Sequence, residues 1–184
     1  MLKIIDDGAA LSAPLHTAHV NVRWGDLDAD GHVNNATILA YVEEARMQWA
    51  ARLALQRCSP SLRSVVAGQA CTYHASIGYP ARLAVTLRCG HIGNSSVGLV
   101  FEVRDAEDGG PSTGAGGATE GSTEGSTEGS ADGFTAGHHY ATAAITWVWV
   151  DRLDRRPRPM PPTLRAACTA AFTQTESGTS NDEL

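Results

Sequence analysis

The chain has no run of about 18 consecutive apolar residues, so no membrane-spanning helix is indicated. Basic residues are scarce and scattered: 14 Lys and Arg stand against 20 Asp and Glu, for a net charge of −6. Without a basic cluster, no nucleic-acid partner is expected. Only four cysteines occur, Cys58, Cys71, Cys89 and Cys168. None form C-x-x-C and their spacings match no zinc pattern, so free thiols are expected. The N-terminus, MLKIIDDGAALSAPLH, lacks the basic region, apolar stretch and cleavage pattern of a secretory signal. The expected location is therefore the cytoplasm. The seven histidines are scattered, and the adjacent pair His138-His139 would point to opposite faces of a strand rather than converge on a metal. What is present, 184 residues with 42% apolar and 18% charged, suits one soluble domain with a real core.

Residues 1–16 read as a flexible leader. The stretch TAHVNVRW (17–24) alternates, with His19, Asn21 and Arg23 on one face and Val20, Val22 and Trp24 on the other, which is the pattern of a half-buried strand. Residues 25–33 are a loop by their Gly and Asp content. From about Asn35 to Leu55 the period changes. Ile38, Tyr41, Val42, Ala45 and Trp49 follow the three-and-four spacing of one helical face, and CSPS at 58–61 ends the segment. Strands are expected at 63–75, at 82–91 with Leu83, Val85, Leu87 and Cys89 together, and at 95–104 with Val97, Leu99, Phe101 and Val103 together. The intervening IGNSS reads as a hairpin turn in which Gly93-Asn94 tolerate positive φ.

Residues 105–137 break the pattern. They hold Gly, Ser, Thr, Glu and Asp with almost no apolar content, and Thr-Glu-Gly-Ser repeats three times from Thr119 to Ser130. Such a segment buries too little to offset its ordering entropy, and is expected to be a mobile loop in an expanded hairpin connection. A last strand follows at 138–150, with Trp147 and Trp149 on one face. The tail, 151–184, carries a short helix at 163–173 and an acidic end expected to be disordered. Strand, loop, long helix and four strands make an α+β domain over 17–150, an antiparallel sheet wrapped around one long central helix.

The loop RWGDLDADGHVNN (23–35) admits two readings. Asp26, Asp28, Asp30 and Gly31 match the opening of a calcium loop, but the carboxylate required at the twelfth place is replaced by Thr37 and a strand stands where the first helix should be. The other reading is an active-site turn. A loop entering a long helix presents unpaired backbone N–H groups that favour a developing negative charge. A carboxylate nearby can attack or activate water, and the two together meet the needs of acyl transfer. Asn34 or Asn35 can cap the helix, and Gly31 permits a sharp turn close to a ligand.

That stretch, continuing to Glu43-Glu44-Ala45-Arg46, closely resembles the signature of the 4-hydroxybenzoyl-CoA thioesterase-like branch of the hotdog-fold superfamily. VVAGQACTYHASI and HIGNSSVGLVFEV resemble the family's later strands. The resemblance covers roughly residues 17–150, the insert excepted. It implies a hotdog fold and an acyl-CoA thioesterase that needs no cofactor and no metal. It implies Asp28 as the catalytic carboxylate, acting as nucleophile or general base, and the backbone N–H near Asn35 as the group that polarises the thioester carbonyl. Gly31, His32 and Asn34 belong to the same motif; Asp26 shapes the turn and Asp30 is solvated. Tyr73 is a candidate for the acyl pocket, Ser95 and Ser96 for the pantetheine arm, and Arg82 and Arg88 for the CoA phosphates. Glu43 and Arg46 are expected to pair at i,i+3. The family often has a basic residue in the strand written here as VVAGQACTY, and this chain has none. The resemblance further implies a homodimer, or a homotetramer, with sites at the interface. Two other readings stay open: a non-catalytic acyl-CoA-binding hotdog module, and a thioesterase acting on acyl-carrier protein.

Overall fold

A computed structural model describes residues 10–55, 59–106 and 137–178. Cys58, the first part of the leader, almost all of the Gly/Ser/Thr/Glu insert and residues 179–184 lie outside the described residues. The elements follow the expected order: β1 (His16–Asn21), α1 (Asn35–Arg52), β2 (Leu62–Tyr73), β3 (Arg82–Ile92), β4 (Ser96–Asp105), β5 (His139–Asp151) and α2 (Pro162–Gly178). The strands form one antiparallel sheet in the order β1-β3-β4-β5-β2.

Direct cross-strand partners share a face, so the register defines the inner side of the sheet. Ala18 pairs with Val85, Val85 with Val103, Val103 with Ala141 and Ala141 with Tyr73. Leu87, Phe101 and Ala143 form the next row, and Val97 and Trp147 a further pair. Against this face α1 buries Ile38, Tyr41, Val42, Ala45, Trp49 and Ala50, and these residues make one core with the strand side chains. Each fully buried Leu, Val or Phe side chain contributes about 1.5–3 kcal/mol, so this row-by-row burial is what fixes the register. The arrangement is the hotdog architecture that the motif implied.

Four expectations change. Trp24 is not on the buried face of β1. The strand ends at Asn21, and Trp24–Asp26 forms a single 3₁₀ turn that leaves Trp24 77% exposed. The part of the leader that is described is not loose: the Ser12 N–H donates to Cys89 O at 2.9 Å and the Leu15 N–H to Leu87 O at 2.8 Å, so the segment continues the β1 edge along β3. Neither Gly93 nor Asn94 has positive φ. The glycine at 93 eases a close approach instead: a Cβ there would lie 3.3 Å from Ser96 O and would push the Ser96 hydroxyl, 2.7 Å away, aside. Finally, α2 is longer than 163–173 and runs to Gly178.

The Trp-rich strand β5 is interior, between β4 and β2, and Trp147 and Trp149 are buried within the chain. Of the two edge strands, β1 and β2, β2 has 12 residues, none fully buried, and its Val65, Val66 and Tyr73 are exposed. No helix among the described residues is long and apolar enough to cross a membrane.

Candidate active site

The loop between β1 and α1 is built by its own backbone. Arg23 N–H and the Tyr41 hydroxyl both donate to Asp26 Oδ2, at 2.7 and 2.6 Å, and the Asn34 N–H donates to Asp26 O at 2.9 Å. Asp26 thus ties the start of the loop to its end and to the first turns of the helix. Its partial burial raises the carboxyl pKa, but the Tyr41 hydroxyl, the Arg23 amide and the Arg23 charge outweigh that and hold it below its ordinary value. Burial and the Asp26 carboxylate together push the Tyr41 phenol well above its own. A tyrosine that the helical period assigns only to the core therefore carries a polar task as well.

The turn itself closes through Asp28. Its N–H donates to His32 O at 2.8 Å, and the Gly31 N–H donates to Asp28 O at 3.2 Å with Gly31 at φ +77°. Asp28 Oδ1 accepts from the Asp30 and His32 N–H groups, at 2.9 and 3.3 Å. One carboxylate oxygen is thereby fixed, and Oδ2 has no hydrogen bond among the described residues. Beyond the turn, Val33 is buried and its N–H donates to Ile77 O at 2.9 Å, which pins the loop to the segment after β2.

Asn34 is the N-cap of α1, its side chain accepting from the Ala36 N–H at 2.8 Å. Asn35 is the first helical residue. Its N–H has no partner among the described residues, as expected of a helix N-terminus. Its carbonyl accepts from the Tyr73 hydroxyl at 3.2 Å, so the end of β2 is tied to the start of α1. Burial, together with Cys71, raises the Tyr73 phenol above its ordinary value and keeps it a donor.

These residues open onto one cleft of about 400 Å³, lined by Asp28, Asp30, His32, Val33, Asn35, Ile38, Tyr73, His74, Ala75, Ser76 and Ile77. The fold therefore brings Asp28, His32, Asn35 and Tyr73 together, with Gly31 and Asn34 shaping the backbone between them. It does not bring Ser95, Ser96 or Arg88 to this cleft. Ser95 and Ser96 sit at the β3–β4 turn, where Ser95 O accepts from the Trp149 N–H. Arg88 is buried on the outer face of the sheet and donates to Ser12 O at 3.0 Å. Ser76 and the 74–77 segment were not legible beforehand; turn residues without periodicity give no signal of what they face. Among the described residues no group of three or more His, Cys, Asp or Glu side chains is placed to hold a metal.

Chemically, the cleft offers a carboxylate oxygen and a helix N-terminal backbone N–H that have no hydrogen-bond partner among the described residues. That combination suits attack on a carbonyl whose oxygen gains negative charge.

Known proteins share this chain's sequence pattern and fold. The model of the thioesterase-like superfamily matches residues 22–168. A Pseudomonas aeruginosa protein provisionally assigned as a thioesterase is 32% identical, with a TM-score of 0.64 over 84% of this chain and 98% of its own. A second protein of that organism is 26% identical, with a TM-score of 0.62 over 88% and 94%. A 1,4-dihydroxy-2-naphthoyl-CoA thioesterase from Synechocystis, 17% identical with a TM-score of 0.64 over 84% and 95%, shares the fold. An uncharacterised Bacillus subtilis protein is 30% identical over 96 residues, which are 52% of this chain and 65% of that one, just under two thirds of its length. With the motif, the strand order and the match over residues 22–168 all in hand, the chain belongs to the thioesterase-like superfamily.

Proposed function

We propose that this protein hydrolyses acyl-CoA thioesters to a free acid and CoA, with Asp28 as the reacting carboxylate and the Asn35 N–H as the donor to the thioester carbonyl. The observation that carries the reading is that Asp28 and the start of α1 open onto the same cleft, with Oδ1 fixed in the turn and Oδ2 unengaged. As nucleophile, Oδ2 attacks the carbonyl carbon, the C–S bond breaks, CoA leaves as thiolate, and water then cleaves the mixed anhydride to regenerate the carboxylate. As general base, Oδ2 takes a proton from water, the hydroxide adds to the carbonyl, and the proton passes to the leaving thiolate. Both routes place negative charge on the carbonyl oxygen, where one such donor contributes on the order of 10²–10³ in rate. A thiolate leaves without a strong acid, which suits a site built from one carboxylate and one amide.

The working unit in this proposal is a homodimer joined along β2. A strand of 12 residues open on both faces, with Val65 at 36% and Val66 at 37% exposure, is a template for pairing with a second copy. Tyr73 and Asn35 stand at its end, so a partner seated there would complete the cleft wall.

The test is thiol release from short, long and aromatic acyl-CoAs, followed with a thiol reagent, alongside an acyl-carrier-protein thioester. Turnover of acyl-CoA supports the proposal. Binding without turnover across the panel would make the chain an acyl-CoA-binding module instead.

A further inference from the structure

The Tyr73 hydroxyl ties the end of β2 to the start of α1. β2 runs antiparallel to α1 from that point, and its inner-face residues follow from their β5 partners: Tyr73 opposite Ala141, Cys71 opposite Ala143, Gln69 opposite Ile145, Val66 opposite Trp147 and Ser64 opposite Trp149. Met47 and Ala50 of α1 meet Leu62 and Ser64 of β2 around one pocket, and Leu39, Glu43 and Arg46 share their strip of the helix by its 100° step. The Asp28 cleft lies at the start of the helix. A separate pocket of about 120 Å³, lined by Met47, Ala50, Leu55, Leu62, Trp147 and Trp149, with Ser59, Ser64 and Pro161, lies toward its end. An acyl chain leaving the carbonyl site along α1 would run toward that pocket.

An ion pair stands between the two. The Arg46 side chain is only 7% exposed, and it bonds Glu43 through both Nε and Nη2, with Nε to Oε2 at 3.0 Å. The guanidinium also lies 4.5 Å from the centroid of the Trp147 ring. The pair is held by two hydrogen bonds and an aromatic face, so it cannot swing aside cheaply. The Glu43 side chain keeps 49% of its surface in water. Methylenes laid over it would strip that hydration without replacing it.

We infer that the Glu43–Arg46 pair over Trp147 is the stop that sets acyl-chain length, restricting the substrates to short and medium acyl-CoAs and leaving the Trp147–Trp149 pocket unused. The inference rests on the thioesterase reading above. From Asn35 to Glu43 the helix rises about 12 Å, and an extended alkyl chain advances about 1.25 Å per carbon, so the limit falls at roughly 8–10 carbons.

The experiment is a series of straight-chain acyl-CoAs from acetyl to palmitoyl, measured as kcat/KM. For the wild type, kcat/KM should rise about four-fold per added methylene, the rate equivalent of burying one CH₂, and then break at roughly 8–10 carbons. The double variant Glu43→Leu/Arg46→Leu, checked for folding by circular dichroism, should move the break several carbons higher. Met47→Trp, which fills the far pocket, should leave the wild-type profile unchanged and cancel the gain when added to the double variant. A wild type without a break, or one whose long-chain activity falls with Met47→Trp alone, overturns the inference whether or not the double variant folds. Turnover with no length dependence would sink the stop and spare the thioesterase reading. No turnover of any acyl-CoA would sink both.

Discussion

Replacing Tyr41 with Phe removes one oxygen from the turn that carries Asp28, the proposed reacting carboxylate. The lost contact is a 2.6 Å hydrogen bond from a buried phenol to Asp26 Oδ2. A hydrogen bond to a charged group contributes about 1.5–3 kcal/mol net. Asp26 is partly exposed, so water replaces some of the donor, and a value at or just below the lower end, about 1–1.5 kcal/mol, applies. For a chain of this size that lowers Tm by roughly 2–6 °C. Arg23 and Asn34 still hold the loop, so it should loosen without unfolding. A misplacement of about 1 Å costs up to about 10² in rate, so a smaller shift of Asp28 against Asn35 should lower kcat about ten-fold with little change in KM. The pH dependence has a definite sign. The folded Asp26 carboxyl sits below its ordinary value of 3.8, so its contribution is present above that pH and is lost as pH falls through the lower folded value. The Tyr41 hydroxyl is part of what depresses it, so the stability difference between wild type and Tyr41→Phe should be full at neutral pH and narrow below 3.8. Urea unfolding across pH and steady-state kinetics read both effects. Equal midpoints and equal kcat at neutral pH would show that Asp26 shapes the turn without Tyr41.

Gly31→Ala should cost about 1–2 kcal/mol, seen as a lower urea midpoint at unchanged slope. The position needs φ +77° and a Cβ there meets nothing within 4 Å, so the penalty is backbone alone. Val66→Asp on β2 should yield a folded monomer by light scattering, with its thioesterase activity lost; an unchanged mass would refute pairing through this edge. Burial depresses His16, aided by the Arg52 charge and opposed by its bond to Gln48. Its folded value lies below 6.5, so stability is complete above pH 6.5 and declines as pH falls toward that lower value. His16→Gln should flatten that part of the urea-midpoint curve.

Most of the fold was legible because its signals are periodic. Leu83, Val85, Leu87 and Cys89 alternate, and so do Val97, Leu99, Phe101 and Val103, so β3 and β4 sit where alternation put them. Ile38, Tyr41, Val42, Ala45 and Trp49 gave α1 for the same reason. Trp24 misled because alternation continued for three residues after the backbone had turned, the turn being set by Asp26 accepting from the Arg23 amide. At the candidate site, the motif singled out Asp28 and Asn35, close together in sequence, and both line one cleft. Tyr73 meeting Asn35, Tyr41 meeting Asp26 and Val33 meeting Ile77 are partnerships across the fold, and a single sequence holds no period that reports them. The described end of the leader, residues 10–16, was misjudged similarly. Leu11 and Ser12 look like loop residues, yet Ser12 is wholly buried, because its hydroxyl accepts the Cys89 N–H that β3 would otherwise leave unpaired.

The most direct test of the whole account is kcat/KM for thiol release by wild type and Asp28→Asn on the best acyl-CoA of the panel. The amide keeps the acceptor oxygen that the Asp30 and His32 N–H groups need, so the turn should survive and Tm should stay within a few degrees. The account predicts that the folded variant loses at least about 10³ in kcat, the order of a removed nucleophile or base. A folded Asp28→Asn that turns over within a few-fold of wild type would contradict it, and would move the chemistry to another group in the cleft.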